Sequence, residues 1–462
     1  MDNCKFLKQK KQVNINGEWV DTRSYRYITY CDGGTPCVII KGGEPNKKVE
    51  INYFKVNNPI DCRPKIIYLD DEGNGYAEFE SDDSIYIFKM SQLTETFEVE
   101  IKGCNVSAFN FIEYQPNISM TVSCSSYCRP ADVKPFDNNN ISKLTFKGFD
   151  TSNATTMSFM FYGLDVLESL DVSQFDTSKV TNMKSMFCDC EKLKSIKGLT
   201  NFDTSKVTDM YYMFFDCESL TLLNLSGWDV SNVTNMESMF EYCSGLTSVD
   251  LSGWNTSSNV TTMKRMFSHC GSLKSIKGVN NFDTSKVTDM YCMFNGCGSL
   301  YSLFLNGWDV SNVTNMNSMF CGCENIKILD LSGWNVSNVT TMDYMFCYCY
   351  SLKSLNLNGW NVSNVTNTHE MFFVCRSITS LDLSGWNVSN ATFMVSMFCG
   401  CESLTSLDLS GWNLSSPLTT AMFEGCDSLK TIYMRDCSQN TIDIIKYQLE
   451  RDGILNQVTI IT

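Results

Sequence analysis

A period of 26 residues runs through most of this chain and constrains its fold more than any other feature. An aromatic residue followed by Asp or Asn recurs eleven times, and eight of the ten intervals are 26 residues long. These aromatics are Phe149, Phe175, Phe202, Trp228, Trp254, Phe282, Trp308, Trp334, Trp360, Trp386 and Trp412. A fixed period of this length is the signature of a solenoid whose coils pack on their neighbours. The sequence therefore predicts about eleven stacked coils of 26 residues.

The unit from 228 to 253, WDVSNVTNMESMFEYCSGLTSVDLSG, shows what each coil contains. Its end has the apolar spacing of a short strand, as in leucine-rich repeats: Leu246, Val249 and Leu251. Its middle has apolar residues at helical intervals: Met236, Met239, Phe240 and Cys243. The polar segment between 231 and 234 suits a turn. Each coil is predicted as strand, turn, short helix and turn, which makes the chain an α/β repeat protein.

The period also predicts two ladders of equivalent side chains. The first ladder consists of threonines, whose hydroxyls we expect to bond backbone groups: Thr155, Thr181, Thr208, Thr234, Thr261, Thr288, Thr314, Thr340, Thr366 and Thr392. The second consists of cysteines: Cys190, Cys217, Cys243, Cys270, Cys297, Cys323, Cys349, Cys375, Cys401 and Cys426. Stacked thiols could form disulfides or bind a metal, but a row of small buried thiols is the favoured interpretation. Because C-x-x-C spacing and nearby histidines are missing, no metal and no cofactor is predicted.

Composition excludes several classes of partner. The chain has 51 acidic and 36 basic residues and a formal net charge of −15. Nucleic acid binding depends on clustered Lys and Arg, so no nucleic acid partner is expected. No apolar run is long enough to span a bilayer, so no membrane insertion is expected. The basic start of the chain has no apolar stretch behind it, which argues against a secretory signal.

The repeat W-D/N-V-S-N-V-T-N-M-x-x-M-F-x-x-C-x-S-L-x-x-L-D-L-S-G resembles the surface-protein repeat of BspA-like leucine-rich proteins of bacteria. The resemblance covers residues 143–434. It implies a leucine-rich-repeat-like solenoid on a cell-surface protein that serves adhesion and protein binding. The export signal and lipid-attachment motif of such surface proteins are not found here, so their mode of anchoring does not carry over.

The ends of the chain differ from the repeats. Short alternating polar and apolar runs predict a small β-module at residues 1–64 and a β-sandwich-like module at 65–134. Seven cysteines fall in this part, and their odd number and irregular spacing favour free thiols: Cys4, Cys31, Cys37, Cys62, Cys104, Cys124 and Cys128. Residues 435–462 are expected to form a C-terminal cap, with a helix and a last strand.

The opening FLKQKKQVNINGEWVDTRSYRY resembles the first residues of virion and tail proteins from phages of gut bacteria. This second resemblance implies that residues 1–134 attach to other virion proteins. It would also place the chain in a virion, made in the bacterial cytoplasm without a signal peptide. A location on the bacterial cell surface is the alternative.

Two surfaces remain as candidates for binding. The strand face carries a mostly acidic row: Asp171, Lys197, Asn224, Asp250, Lys277, Phe304, Asp330, Asn356, Asp382, Asp408 and Tyr433. The helical edge is richer in aromatics, which serve sugar stacking or protein hot spots when exposed. The candidate binding residues are Tyr211, Tyr212, Phe215, Tyr242, Tyr291, Tyr344 and Tyr348. Packing between coils is the competing interpretation for about half of such aromatics.

Catalysis has little support in the sequence. The two histidines, His269 and His369, occupy interchangeable positions of the repeat, and no glycine-rich phosphate loop is present. We expect a non-enzymatic structural or binding protein, favouring a phage tail or appendage component whose solenoid binds a host-surface protein or glycan. A BspA-like bacterial adhesin is the first alternative. A glycan-active enzyme with catalytic residues within 1–134 is the second, and homo-oligomerisation remains open in each case.

Overall fold

The computed structural model describes most of the chain. The described residues are 4–15, 18–31, 37–55, 58–78, 85–90, 96–102, 105–111, 118–124, 136–137, 141–254, 256, 259–415 and 417–462. Side chains are described for 37–50, 66–78, 98–100 and the described residues from 141 onward. The chain divides into two compact units, Met1–Val207 and Thr208–Thr462.

The first unit begins with an antiparallel hairpin of β1 (Cys4–Ile15) and β2 (Glu18–Cys31). Ten further strands lead up to the repeats: β3 (Cys37–Lys41), β4 (Lys48–Lys55), β5 (Asn58–Tyr68), β6 (Gly75–Glu78), β7 (Ile85–Met90), β8 (Thr96–Lys102), β9 (Asn105–Phe111), β10 (Ile118–Cys124), β11 (Phe136–Asp137) and β12 (Ile141–Phe149). They form two five-stranded sheets, in the orders β12-β10-β8-β3-β6 and β11-β9-β7-β4-β5.

From β7 onward, the chain alternates between these two sheets. β8, β10 and β12 pair in parallel in one sheet, and β7, β9 and β11 pair in parallel in the other. β3 to β6 pair with their neighbours in antiparallel fashion. In a solenoid, regular crossovers connect strands that pair in parallel within the same sheet. Coil-like winding therefore begins before the 26-residue repeat does.

The boundary predicted between residues 64 and 65 falls within a strand. β5 (Asn58–Tyr68) runs across it, and β3 pairs with both β6 and β8. The strands on the two sides of the boundary therefore share the same two sheets. Alternating polar and apolar residues indicated strands correctly, but sheet partners depend on residues far apart in the sequence. Of the seven cysteines named above, Cys37 is buried with a free thiol, and the other six side chains lie outside the described residues.

The repeats of the first unit follow β12 directly. They contribute β13 (Ser169–Asp171), β14 (Ser195–Lys197) and a 3₁₀ turn at Leu199–Asn201, and β13 and β14 pair in parallel. Phe146 of β12 lies 4.9 Å from Phe175, and Phe149 lies 5.7 Å from the same ring, measured between ring centroids. Buried aromatic rings therefore join the two-sheet region to the first coils of the repeat.

The second unit continues the repeat to its end. Its elements are β15 (Leu222–Asn224), β16 (Ser248–Asp250), β17 (Ser275–Lys277), β18 (Ser302–Phe304), β19 (Ile328–Asp330), β20 (Ser380–Asp382), β21 (Ser406–Asp408), β22 (Thr431–Tyr433), α1 (Gln439–Arg451) and β23 (Thr459–Ile461), with 3₁₀ turns at Val279–Asn281 and Leu455–Gln457. All its strand pairs are parallel. The predicted leucine-rich-repeat-like solenoid of about eleven coils is confirmed.

The short helix predicted within each coil is replaced by consecutive turns. In the coil that contains Met236–Cys243, Ser238 and Tyr242 have positive φ angles of 55° and 62°. A left-handed residue at every fourth position interrupts an α-helix. Among the described residues, α1 is the one α-helix, and none is long and apolar enough to cross a membrane. We call the segment between the first Met and the Cys of each coil the turn edge.

Hydrogen bonds between coils explain why the turn edge forms turns instead of a helix. The amides of Ser238, Phe240 and Tyr242 donate to carbonyls of the following coil at 2.9 Å. The alternate amides, of Met239, Glu241 and Cys243, donate to the residue three positions earlier in their own coil. A helix would satisfy its amides internally and leave none for the neighbouring coil. Turns bury the same Met, Met, Phe and Cys positions, which is why the apolar spacing suggested a helix.

The predicted threonine ladder forms along the coils. Both the amide and the hydroxyl of Thr234 donate to the carbonyl oxygen of Thr208 in the preceding coil, at 2.9 and 3.1 Å. The same hydroxyl bond occurs at Thr181, Thr288, Thr314, Thr340, Thr366 and Thr392. These side chains are exposed. The ladder therefore provides hydrogen-bond donors to backbone carbonyl oxygens at the surface of the stack.

Residues 435–462 lie against the last coil of the repeat. Ser438 begins α1 by accepting a hydrogen bond from the amide of Thr441. The Thr441 hydroxyl accepts a bond from the amide of Leu414, and Asp452 accepts one from the amide of Phe423. β23 pairs in parallel with β22. The segment thus satisfies backbone groups that the last coil would otherwise leave without a partner, as an end cap must.

Candidate interaction surface on the turn edge

The seven aromatic residues predicted to bind a partner all lie on the turn edge of the second unit. Within Met236–Cys243, the residues Met236, Met239, Phe240 and Cys243 face the core, and we call positions 237, 238, 241 and 242 the outer positions, although Ser238 and Glu241 are themselves buried. The predicted residues occupy these outer positions in their own coils. Tyr242 and Tyr348 are 41% and 39% exposed, and the other five are half-buried. The structure thus places all seven on one edge, in two clusters and one separate position.

The first aromatic cluster consists of Tyr211, Tyr212, Phe215, Tyr242 and His269. Tyr211 stacks on Tyr212 with 3.9 Å between ring centroids, and Tyr212 lies 4.6 Å from Phe215. Phe215 meets Tyr242 edge to face at 5.5 Å, and Tyr242 stacks on His269 at 4.7 Å. These contacts cross three coils. The cluster therefore forms a continuous aromatic ridge along the turn edge.

Below this ridge lie polar groups without partners. Glu241 is 3% exposed and its Oε2 has no hydrogen-bond partner, and the buried hydroxyl of Ser238 has none either. The Oε1 of Glu241 is 4.0 Å from the Nε of Arg265. Burial, a hydrogen bond with Tyr212 and the nearby acidic groups raise the pKa of Tyr211. The tyrosine therefore remains a neutral hydroxyl in a local environment that is already negative.

Tyr291 belongs to neither cluster, and the cationic side chains of two residues lie against its ring. The guanidinium of Arg265 lies 5.1 Å from its ring centroid and the ammonium of Lys264 lies 5.6 Å away. Such distances are those of cation–π interactions. The ring face of Tyr291 is therefore already occupied by groups of the same chain.

The second aromatic cluster consists of Tyr344, Tyr348, His369 and Phe373. Tyr344 meets His369 at 5.0 Å and Tyr348 meets Phe373 at 5.5 Å, both with rings inclined by 82°. The Nε2 of His369 is 3.3 Å from Glu370 Oε1, while its Nδ1 is 3.0 Å from the carbonyl oxygen of Val395. Because the rings meet at steep angles, this cluster does not form a flat ridge, and the Glu370 carboxylate lies beside the His369 ring.

Small residues separate the two clusters. At the position that Tyr242, His269 and Tyr348 occupy in their coils, the intervening coils have Gly296 and Gly322, with φ angles of 71° and 72°. A Cβ added at Gly322 would lie 3.3 Å from the Cα of Gly296, so these two glycines are in direct contact. The turn edge therefore has a low saddle between two aromatic clusters.

The cysteine ladder has a structural role. In nine of the ten ladder cysteines the Sγ donates a hydrogen bond to the carbonyl oxygen of the turn-edge Phe one coil earlier; for Cys243 this is the oxygen of Phe214, at 3.0 Å. Equivalent bonds are made by Cys190, Cys270, Cys297, Cys323, Cys349, Cys375, Cys401 and Cys426. Burial raises the pKa of Cys243 to about 12. These thiols remain protonated, which agrees with the favoured interpretation of buried free thiols.

The strand-face row also has a local structural role. Asp250 accepts hydrogen bonds from the amide and hydroxyl of Ser252, and the same amide bond recurs at Asp171, Asn224, Asp330, Asn356, Asp382 and Asp408. An Asp or Asn side chain that bonds a backbone amide two residues on stabilises a turn. In these seven coils the Asp or Asn therefore shapes the turn after the strand.

The sequence interpretation missed an apolar patch on the strand face. Tyr301, Phe304 and Ile328 are about half exposed, at 52%, 53% and 48%, and Leu222 is 65% exposed. β18 and β19 pair Ser302 with Ile328, which places the three larger side chains in adjacent coils. The sequence did contain a signal, because most other coils have Ser, Thr, Lys, Glu, Asp or Asn where these coils have apolar residues.

The two histidines lie on the turn edge near possible catalytic groups. The Nδ1 of His269 is 2.8 Å from the Ser268 hydroxyl, but Ser268 is 1% exposed. A substrate could not reach that hydroxyl without a rearrangement of the coil. In the first unit, a shallow pocket of about 280 Å³ is lined by Leu144, Thr145, Phe146, Asp171, Ser173 and Gln174. Within the described ranges, no three His, Cys, Asp or Glu side chains are grouped as a metal would require.

Comparison with solved structures found leucine-rich repeat proteins. A leucine-rich repeat protein of Leptospira interrogans is 12% identical, with a TM-score of 0.28, over 75% of this chain and 90% of that one. TLR13 in complex with ssRNA13 is 15% identical, with a TM-score of 0.17, over 78% and 72%. The mouse RP105/MD-1 complex is 13% identical, with a TM-score of 0.22, over 78% and 60%. No curated protein sequence matches the chain.

A family of repeat sequences matches most of the solenoid. The matches cover residues 132–221, 193–278, 272–377 and 322–435, so they overlap and extend over more than half of the chain. They begin before Phe149 and end after Trp412, the first and last aromatics of the repeat. The chain therefore belongs to the DUF285 family, described as Mycoplasma proteins of unknown function.

Proposed function

We propose that this protein is a non-enzymatic binding protein whose solenoid presents the turn edge to a partner protein or glycan. The observation that supports this proposal is the alignment on one edge of two aromatic clusters, each of which includes one exposed tyrosine. Exposed aromatics on a fixed scaffold are the residues that dominate binding energy at protein interfaces. The edge is fixed because its backbone amides bond the next coil at every second residue. Little entropy would be lost when such a surface binds.

The experiment compares two faces of the same solenoid. An edge variant carries Tyr242→Ala and Tyr348→Ala, and a matched strand-face variant carries Tyr301→Ala and Phe304→Ala, so each loses two exposed aromatic rings. The labelled wild type and both variants are applied to arrays of immobilised glycans and of cell-surface proteins. We expect binding of the wild type to at least one class of target, at least a tenfold loss in the edge variant, and retention in the strand-face variant. Equal loss in both variants, or selective loss in the strand-face variant, would contradict the assignment to the turn edge.

The same incubation tests the enzymatic alternative. Products released from the glycans are measured by reducing-end analysis and mass spectrometry. We expect none. Release that disappears after substitution of one carboxylate would establish a glycan-active enzyme and remove the non-enzymatic proposal.

We propose a virion as the setting of this function, with residues 1–134 attached to other virion proteins and the solenoid facing the host. The proposal rests on the resemblance of the opening residues to phage tail proteins, and a BspA-like adhesin on the bacterial surface is the alternative. Fractionation of producing cells separates the two settings. A virion component sediments with purified particles, whereas an adhesin remains with intact cells and is removed by surface proteolysis.

A further inference from the structure

At Tyr291 the turn edge holds two cations, each between the aromatic ring and a carboxylate: Arg265 with Glu241, and Lys264 with Glu237 at 3.6 Å. Arg265 lies with its guanidinium 5.1 Å from the ring centroid of Tyr291 and its Nε 4.0 Å from Glu241 Oε1. The ring contributes a negative face and the carboxylate contributes a full charge. This arrangement is a template, within the same chain, for how the turn edge binds a cationic side chain.

Other aromatic side chains of the chain also have cations of their own. Lys327 lies 5.1 Å from the ring of Tyr301, Arg376 lies 5.1 Å from Tyr350, and Arg435 lies 5.2 Å from Tyr433. Among the described side chains, no such contact falls on Tyr344, Tyr348 or Phe373. The aromatic rings of the second cluster therefore lack the intramolecular cation found at comparable aromatic side chains.

The second cluster has the carboxylate that such a site requires. The side chain of Glu370 is 23% exposed, and it follows His369, whose ring meets Tyr344. Burial and then the Glu370 carboxylate raise the pKa of Tyr344, and burial, Cys347 and Glu370 raise that of Tyr348. The charge of Glu370 therefore raises the pKa of both phenols. The rings and the carboxylate form one local environment.

Among the described residues, no outer turn-edge position near this cluster carries a permanent cation; Arg376 lies 5.1 Å from the ring of Tyr350, which meets Tyr348 at 5.9 Å. From the coil of Tyr291 to the coil of Gly425, the outer turn-edge positions contain Asp343, Glu370 and Glu424 but neither Lys nor Arg. Asp343 accepts hydrogen bonds from Asn317 and Thr341. Arg376, the nearest Arg in the sequence, pairs with Glu402 at 3.2 Å. His369 Nε2, at 3.3 Å from Glu370, is charged only when protonated.

We propose that Tyr344, Tyr348, Glu370 and Phe373 form a binding site for a lysine or arginine side chain of a partner protein. The proposal rests on the proposed binding function and specifies its site and the chemistry of its partner. A partner protein is favoured over a small ammonium compound because the cluster borders the glycine saddle. A polypeptide can lie in that saddle while its basic side chain enters the cluster. The formal charge of −15 attracts basic partners from a distance.

The test begins with peptides selected from a displayed random library on the immobilised full chain. Selected peptides are synthesised, and their affinities are measured by fluorescence anisotropy at about pH 8, where a histidine of ordinary pKa is uncharged. Each peptide is compared with a version in which its Lys or Arg is replaced by norleucine. The protein variants are Glu370→Gln, Tyr348→Leu and the control Glu424→Gln. The control removes the same charge at an exposed outer position three coils from Tyr348 along the same edge.

The expected result is a thermodynamic coupling between one peptide residue and Glu370. The norleucine peptide and the Glu370→Gln variant each lose at least tenfold in affinity, and the two changes together cost little more than either alone. Tyr348→Leu also lowers affinity, with an unchanged melting temperature showing that the fold is intact. Glu424→Gln changes affinity less than twofold.

Four results would overturn the site. The first is additive losses from the peptide change and Glu370→Gln, which would mean that they do not interact. The second is an equal loss in Glu424→Gln, which would indicate general electrostatic attraction. The third is selection of peptides without Lys or Arg; this result removes the cation site but leaves the binding function. Displacement of the peptides by millimolar tetramethylammonium, with no dependence on the peptide's own basic residue, would assign the cluster to a small ammonium compound instead.

Discussion

The indole Nε1 of Trp334 donates a hydrogen bond of 2.9 Å to the carbonyl oxygen of Leu305, one coil earlier. Its ring also stacks between Trp308 at 6.4 Å and Trp360 at 6.2 Å. Trp254, Trp308 and Trp412 make equivalent indole bonds. At the next position along the ladder, Cys437 donates its thiol to the oxygen of Leu409 at 3.2 Å, in the same manner. These four tryptophans thus both fill the core and donate to a backbone oxygen of the neighbouring coil.

Substitution of Trp334 separates these two contributions. Trp334→Phe keeps a stacked ring, as Phe282 does naturally in the same ladder, but removes one of the two donors of the Leu305 oxygen and leaves the amide of Trp308. We expect a loss of about 0.5–1.5 kcal/mol. Trp334→Ala also creates a cavity and should cost about 3–5 kcal/mol. Thermal and urea unfolding measure both variants, and equal losses would mean that the hydrogen bond contributes nothing.

The reactivity of Cys321 depends on its neighbour Cys347. A hydrogen bond from the Cys347 thiol lowers the pKa of half-buried Cys321, and the same bond together with burial raises the pKa of Cys347. At a given pH, Cys321 therefore has a larger thiolate fraction than an ordinary thiol and should alkylate faster than Cys292 or Cys399, whose pKa values are raised by burial. Peptide mass spectrometry after iodoacetamide treatment measures these rates.

The control is Cys347→Ala, which removes the hydrogen-bond donor. The pKa of Cys321 should then rise, and its alkylation near neutral pH should slow. Labelling of the buried ladder thiol Cys243 before unfolding would contradict the packing described here. Unchanged Cys321 rates in Cys347→Ala would show that the thiol pair does not interact.

The acid stability of the solenoid should depend on Asp250. A hydrogen bond from Lys277 and a second from Ser252 lower the pKa of Asp250 to about 2, below an ordinary value of about 3.9. A lowered pKa stabilises the folded state above about pH 4, and this stabilisation is lost as the pH falls towards about 2. The difference in melting temperature between wild type and Asp250→Asn should therefore shrink through that range. The effect is small because the pair is exposed and screened by salt.

Asp382→Asn is the matched control for that experiment. Asp382 bonds the amide of Ser384 as Asp250 bonds Ser252, but parallel pairing places it beside Asp408 instead of a lysine. Like charges on neighbouring strands destabilise a sheet. Asp382→Asn should therefore raise the melting temperature slightly at neutral pH, and high salt should remove the gain. A loss of stability equal to that of Asp250→Asn would show that charge pairing is irrelevant on this face.

Backbone conformation limits substitution at Ala421. Its φ angle is 56°, the left-handed conformation found at the same turn-edge position of the other coils. Ala421→Val should cost more than about 1 kcal/mol because a β-branched side chain is strained there. Ala421→Gly should be neutral or slightly stabilising. Thr420→Val, at the neighbouring residue, is the control and should have little effect in the same unfolding assay.

The repeat sequence predicted a large part of this fold. A period of 26 residues fixed the number of coils and the parallel stacking, because equivalent residues must meet in neighbouring coils. The thiol and threonine ladders followed from the same argument. The seven candidate aromatics were predicted on one edge, and they lie on one edge. Their grouping into two clusters around a saddle depended on which coils have Gly296 and Gly322, and this was not recognised from the spacing.

The local structure of the turn edge and the pairing of the first strands were decided by tertiary contacts. Met236, Met239, Phe240 and Cys243 fit a helix and a series of turns equally well, since both bury the same positions. The carbonyls of the adjacent coil favour the turns because they accept amides that a helix would use internally. Likewise, the alternation of polar and apolar residues near Asn58 indicated a strand but did not determine which strand pairs with it. Local sequence determined which side chains are buried, and the neighbouring backbone determined the conformation that buries them.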